Sequence, residues 1–577
     1  MSSVSTSNIG FGGISTGSNG QTQLSGTLFG VDINDLIDSL VQAKSIPNIQ
    51  REVKITSNTA KLSAYSELES KLKALESAAA TLRNPRVTTG TADAFDAKRT
   101  QSRASGTIQA SDLYGVTAAN GTANGTYSIT INRIARADTI SGSGTPVIAD
   151  ATTATPLSVS GNLVLEGTNI AVTNTMTLTQ IRDAINNASA TTKVKASIVQ
   201  ATTGDVRLVL KHTQTGNAIA LADDQSGTLL TDLGLAASGA TDTSLSAELV
   251  LDGITAIRAT NSVNDLITGV SIELFQADAG KPITLTIDDD LEGISESVAS
   301  FITAYNEVAS FVQAQRATNS EGTVGEDQLL YNDGLMQSAY RSLQSVIGSG
   351  ASGVPSGALK SLRDIGIDLD QNGKLNVSDN SRFEDALLTN LDEVRALFGF
   401  SSSASTGFDV VNRPDNVRSE IMGREVIVRV TATDGSGVPT AAEFEIDGIV
   451  TAATIENGFI KGPTGSYYEG FALGYSGGVV SGPPYTGTFT PTQGIADQIA
   501  AALEPVLNAS TGSLKAAKDV LTATNTQIET QITTLTDQLD IYRARLTLQF
   551  QAAQQAIQAF ESQKNSILSF ADSLNGN

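Results

Sequence analysis

The sequence predicts an α+β protein of several domains, with an antiparallel coiled-coil stalk made from both termini, a helical domain with a hairpin, and β-rich domains between. Three observations carry this. A heptad pattern runs through the C-terminal residues from Ile528 to Leu574. A second apolar seam lies near the N-terminus, between Tyr65 and Leu82. Between them, helical spacing gives way to short alternating runs punctuated by Gly, Asn and Asp. A chain of 577 residues exceeds what one hydrophobic core organises, and roughly two to four domains are expected.

Residues 1–29 are rich in Ser, Gly, Thr and Asn and are expected to form a disordered tail. The first basic residue is Lys44, and no apolar core precedes it, so no Sec-type signal peptide is expected. Order should begin near Val31, with Asp32 as a helix N-cap. Ile33, Leu36, Ile37, Leu40 and Val41 fall at i, i+3, i+4, i+7 and i+8, one face of an amphipathic helix. Pro47 is suited to the first turn of a second helix. In it Tyr65, Leu68, Leu72, Leu75, Ala79 and Leu82 alternate by three and four as a heptad seam does. Asn84-Pro85 is the stop signal, so 30–85 reads as the N-terminal leg helices.

Beyond residue 86 the runs Tyr127 to Ile131, Val206 to Leu210 and Ile283 to Ile287 are strand-like, with one helix at about 179–187. Residues 86–140 with 246–290 read as an inner β-rich head domain, and 141–245 as an outer one. Helical spacing returns at 294–317, where Val298, Phe301, Ile302, Tyr305, Val308 and Val312 share a face. It recurs at 335–347 and 381–398, so 291–402 reads as a helical leg domain containing a hairpin. Residues 403–493 have many Gly and read as an inserted β-rich small domain.

The segment 494–577 holds the clearest pattern. Its a positions are Ile528, Leu535, Tyr542, Gln549, Ala556, Gln563 and Phe570, and its d positions are Ile532, Leu539, Leu546, Ala553, Phe560, Ile567 and Leu574. Twelve of these fourteen are apolar, with no Pro or Gly to break the run. A helix of that span reaches about 70 Å at ~1.5 Å per residue. Gln549 and Gln563 are polar a positions of the kind that set register.

Candidate chemistry is sparse. Asp368, Asp370, Asn372, Gly373 and Asp379 fit the spacing of a calcium loop, in which oxygens at positions 1, 3, 5 and 12 converge once Gly allows the bend. Ile365 and Ile367 before it, and Leu375 and Val377 after it, alternate as strands do, and Asn372-Gly373 between them favours a hairpin over a metal site. Gly348 to Gly353 spells GxGxxG but follows a helix and precedes Val354-Pro355, the wrong context for a dinucleotide. His212 is the single histidine, and there is no cysteine or tryptophan. Thiolate chemistry and histidine clusters are therefore excluded. Asp288-Asp289-Asp290 follows a strand and reads as a solvated turn. The net charge of −23 speaks against nucleic acid, and no apolar run is long enough for membrane insertion. No enzyme, cofactor or metal is expected.

Taken in order, several segments resemble one family. Val31-Asp32-Ile33-Asn34-Asp35-Leu36-Ile37-Asp38-Ser39-Leu40-Val41 is similar to the N-terminal signature of the flagellar hook-associated protein 2 family. Gly125 to Asn132 resembles its first head strand. Thr177-Leu178, Ile181 to Asn186 and Arg207 to Leu210 resemble a module shared with flagellins. Asn261 to Val270, Phe301 to Asn306, Leu362 to Ile367 and the hairpin, Leu397-Phe398, and the terminal coil with Tyr542, Leu546 and Phe550 complete the order. The resemblance implies a homo-oligomeric cap, most often a pentamer, at the distal filament tip. Head domains would form the lid and terminal helices the legs, with flagellin folding beneath. It implies type III export, an export chaperone bound near the C-terminus, and hook–filament junction proteins as neighbours. The contact helices would use Ile33, Leu36, Ile37, Leu40, Leu68, Leu72, Leu75, Ile532, Leu539, Leu546, Phe560 and Ile567. Another axial protein of the flagellum, or a β-rich surface adhesin, remains the alternative.

Overall fold

The computed structural model describes residues 31–575 apart from 84–92, 146, 150–155, 224–226, 319–321 and 415–416, together with the short strands Ile14–Thr16, Thr22–Leu24 and Thr27–Leu28. The rest of the tail expected over 1–29, and the Asn84-Pro85 stop signal, lie outside the described residues. Two compact units result, residues 84–299 and residues 1–83 with 300–577.

Unit 84–299 is built on two cores. In the first, a five-stranded antiparallel sheet has the order Ile254–Arg258, Ala247–Leu251, Gly125–Arg133, Ile283–Asp289, Lys98–Ala104. Alternation sends Ile129, Ile131, Leu249, Leu285 and Ile287 inward. They meet Tyr114, Ile272 and Leu274 from a three-stranded sheet. The hairpin between Ala247–Leu251 and Ile254–Arg258 turns on Asp252-Gly253, with φ of 48° and 87°, the left-handed pair that a two-residue turn requires. The second core packs the helix Leu178–Asn187, through Ile181 and Ile185, against two three-stranded sheets that supply Leu163, Leu165, Leu208 and Leu210. Thr177 and Gln180 close a capping box at its start.

The other unit is organised by two long helices, Ile33–Ala80 and Ser513–Asn575. The first runs through Pro47 without a break, where the sequence predicts a new helix. Pro removes one main-chain hydrogen bond and crowds the preceding turn. Yet residues on both sides rest on the same partner: Lys44 lies over the Tyr542 ring and Asn48 donates to the Ile532 carbonyl. That shared support keeps the two halves in line. From residue 64 onward the helix is anchored, with Ala64, Tyr65, Leu68, Leu72, Leu75, Ala79 and the following Leu82 all buried. It packs there on the helix Ile495–Leu507, which itself packs on Gly334–Ser349. The predicted helix 381–398 is two, Asn380–Thr389 and Leu391–Phe398. Phe398 meets Phe301 edge-on at 6.1 Å.

Asp333 ties the N-terminal helix to the helix Gly334–Ser349. Its carboxylate accepts from the Tyr65 hydroxyl at 2.6 Å, caps the helix through the Met336 N–H at 3.1 Å, and pairs with Lys61 at 3.1 Å. Burial works to raise this carboxyl, but the hydrogen bonds from Tyr65, Met336 and Lys61 outweigh it and hold it below the usual range.

Residues 400–493 form two sheets around an aromatic core. One has the order Phe400–Ala404, Tyr485–Gln493, Val426–Thr433, Pro439–Ile446, Ile449–Ala452. Phe444 stacks on Tyr468 at 4.7 Å, and Phe489 packs on both Phe444 and Phe471. Gly353 (φ 78°) lies against Gly423 so closely that a Cβ there would sit 2.5 Å from the Gly423 nitrogen. Asp497, fully buried, joins this sheet pair to the helices. It accepts from Arg83 Nε at 2.8 Å, from Arg413 Nη1 and Nη2 at 3.0 and 2.8 Å, and from Gln493 Nε2 at 2.8 Å.

Candidate functional site

The candidate site is the surface made by the two terminal helices. They run antiparallel: Asp38 pairs with Arg543, Asn48 bonds Ile532 and Thr536, Asn58 bonds Asn525, and Glu69 pairs with Lys518. Glu69 lies between Lys518 and Lys73, and both cations hold its carboxyl below the ordinary range.

The predicted contact residues separate into three groups. Leu68, Leu72 and Leu75 are core residues, at most 1% exposed. Ile33, Ile37 and Leu539 are buried in the seam between the helices, with Ile532 and Leu546 half-buried beside them. Leu36 and Leu40 are on the outside, as are Phe560 and Ile567. The heptad stripe of the C-terminal helix is thus partly covered as far as Leu546 and exposed from Gln549 to Ile567. Phe560, Ile567 and Phe570 are 70%, 68% and 66% exposed. Gln549 and Gln563 are exposed too, so neither sets register within this pair. The polar seam positions are Asn48 and Asn58 on the opposite helix. Their spacing along that helix was the available sequence signal.

The calcium-like loop is a hairpin, Ile367–Leu369 paired antiparallel with Leu375–Val377. Asp368 engages Arg363 and Ser378. Asp370 accepts from the N–H groups of Asn372 and Lys374, and Asp379 caps the helix Asn380–Thr389. The three carboxylates point to separate tasks. Among the described residues, no three His, Cys, Asp or Glu side chains gather as metal ligands would. Gly350 caps the helix Gly334–Ser349. His212 is buried, its Nδ1 within 2.9 Å of the Gln214 carbonyl and 3.1 Å of the Gln214 nitrogen. Asp289 pairs with Lys98, and Asp290 accepts from the Gly293 N–H.

A family model described as the C-terminus of flagellar hook-associated protein 2 matches residues 244–562, more than half of the 577. The chain belongs to the flagellar hook-associated protein 2 family. The model for the N-terminus of that family matches 29–138, and a flagellin hook IN motif matches 158–214. The B-type flagellar hook-associated protein 2 of Pseudomonas aeruginosa is 28% identical over 395 residues, covering 64% of this chain and 78% of the relative. The flagellar hook-associated protein 2 of Escherichia coli K12 is 28% identical over 386 residues, again 64% and 78%. The crystal structure of the flagellar cap protein FliD D1-D2-D3 domains from Escherichia coli is similar at 22% identity. It has a TM-score of 0.47 and covers 79% of this chain and 99% of that one. The flagellar hook-associated protein 2 family is one of structural proteins, not of enzymes. Among the described residues, no helix is long and apolar enough to cross a membrane.

Proposed function

We propose that this chain caps the distal tip of the bacterial flagellar filament, promoting flagellin polymerisation and preventing flagellin loss. Capping the tip is the role of the flagellar hook-associated protein 2 family, whose members form oligomeric caps. The observation that carries the reading to particular residues is the exposed apolar stripe at Phe560 and Ile567. Such a stripe on a helix seeks a partner, and in a cap that partner is the growing end of the filament or a neighbouring subunit.

In this reading the paired terminal helices, 30–85 and 494–577, form a coiled-coil stalk that serves as a leg, and 291–402 is the helical base of that leg. The β-rich segments 86–140 with 246–290, and 141–245, are lid-forming head domains. Residues 403–493 are an accessory domain. The oligomer is a pentamer. The chain is secreted through the type III exporter, escorted by a chaperone bound near its C-terminus, and has hook–filament junction proteins as partners. The contact set is Leu36, Leu40, Phe560 and Ile567 on the outside, positioned by Ile33, Ile37, Leu68, Leu72, Leu75, Ile532, Leu539 and Leu546.

The test is flagellin in the culture medium of a strain lacking this gene. Bare hooks and leaked monomeric flagellin, restored by the intact gene but not by one carrying Phe560→Ser and Ile567→Ser, are expected. Normal filaments without leakage would sink the proposal.

A further inference from the structure

Three side chains on neighbouring strands of the first β-rich core meet in a closed triangle. Lys98 opens the edge strand Lys98–Ala104, and its register partner is Asp289, the last residue of Ile283–Asp289. On the other flank of Ile283–Asp289 runs Gly125–Arg133, immediately preceded by Asn124, with Gly125 opposite Ile287. Lys98 Nζ donates to Asp289 Oδ1 at 2.5 Å and to Asn124 Oδ1 at 2.9 Å. Asn124 Nδ2 donates to Asp289 Oδ2 at 2.8 Å. Amine, amide and carboxylate therefore touch pairwise, each side of the triangle within hydrogen-bond reach.

Long side chains of a surface ion pair lose entropy when held in one geometry, and solvent screens their attraction. Here the geometry is constrained. The Lys98 side chain is 10% exposed and that of Asp289 25%, and the ladder between their strands fixes both backbones. The Lys98 nitrogen is thereby held against an amide carbonyl, the approach from which an amine attacks once it has lost a proton. The carboxylate able to take that proton already touches the amine. Its second oxygen touches the amide nitrogen, the group that such an attack expels. Asn124 is the exposed corner, which leaves the expelled nitrogen a way out.

We infer that this triangle is a self-cross-linking site, at which Lys98 and Asn124 become joined by an amide bond between their side chains. Asp289 Oδ1 takes a proton from the Lys98 ammonium. The freed amine attacks Asn124 Cγ and the Cγ–Nδ2 bond breaks, while Asp289 passes the proton through Oδ2 to the departing nitrogen. That nitrogen also carries off the second proton shed by Lys98, so ammonium is released and Asp289 ends ionised, as it began. Nothing is oxidised or reduced. The bond ties the edge strand to the strand two places in, in a chain that has no cysteine and so no disulfide to do so. Lys98 lies 26 positions from Asn124 and 191 from Asp289, so only the folded sheet assembles the site. The inference is independent of the capping role.

Mass spectrometry of the purified full-length protein tests it. The intact chain should be lighter than its sequence by one ammonia. Trypsin should fail to cut after Lys98 and should release a branched product that joins the Lys98 and Asn124 peptides. Lys98→Arg keeps the ion pair and should restore the full mass, as should Asp289→Asn, which removes the proton carrier. Full mass in the parent protein, with normal cutting after Lys98, would overturn the inference. So would loss of ammonia with Lys98 still cut, which would mean that Asn124 had closed on the Gly125 nitrogen instead.

Discussion

Replacing Asp497 by leucine should be among the most damaging single changes in the chain. The carboxylate is fully buried and receives four hydrogen bonds, three of them from the guanidinium groups of Arg83 and Arg413. Arg413 is itself 3% exposed and lies over the Phe400 ring at 4.7 Å. The substitution removes the anion toward which two cations are directed in a setting that water reaches poorly. Breaking a buried ion pair from one side costs about 3–5 kcal/mol. Asp497→Asn keeps one acceptor oxygen and should cost less. Replacing the whole group with apolar side chains, Asp497→Leu with Arg83→Met and Arg413→Met, should recover most of the loss, because the desolvation of the charges disappears together with their attraction. Urea unfolding followed by far-ultraviolet circular dichroism reads these differences, with the helical signal reporting on the unit that contains residues 1–83 and 300–577. A cost below about 1 kcal/mol for Asp497→Leu, the range of an exposed pair, would refute the reasoning.

Leu72→Ala, at a site with no exposure, should cost about 2–5 kcal/mol in the same unfolding assay. Gly353→Ala should destabilise by about 1–3 kcal/mol, since φ is 78° and the new methyl would meet the Gly423 backbone. Phe560→Ser with Ile567→Ser should leave the unfolding midpoint within about 0.5 kcal/mol of the parent, because both are exposed. The folded-state carboxyl values of Asp333 and Glu69 are lowered. Their stabilisation is therefore complete above the ordinary carboxylate range and is lost as pH falls through the lowered values. The melting temperature should drop as the pH falls below the ordinary carboxylate range, and by less in Asp333→Asn.

Periodicity made the helices legible. The terminal helix Ser513–Asn575 and the helix Leu291–Arg316 have apolar spacing that only a helix satisfies. Strands such as Gly125–Arg133 and Ile283–Asp289 declared themselves by alternation, and Asn372-Gly373 marked its hairpin. Pro47 misled, because its local cost is real while the support from the partner helix is a tertiary effect. The helix after Asp379 was read as one where Asn390 divides it. At the terminal helices, Leu36 and Leu40 share the local pattern of Ile33 and Ile37. Which of them is covered depends on a helix some five hundred residues away, and the sequence carries no local trace of that. The Asp497 cluster was invisible for the same reason, since Arg413 and Arg83 are 84 and 414 positions from it in the chain.

The strand pairing that opens and closes residues 400–493 has a consequence for how this chain can be altered. Phe400 is the register partner of Gln493, so the excursion leaves the helical body and re-enters it at one doorway. A segment whose ends are neighbours can be lengthened, exchanged or used to carry a foreign sequence without rerouting the rest of the chain. The doorway has a lock, however. Arg413 reaches from inside the excursion to Asp497 on the far side of it, so a replacement cassette that lacks this cation leaves Arg83 as the partner that must hold the buried carboxylate.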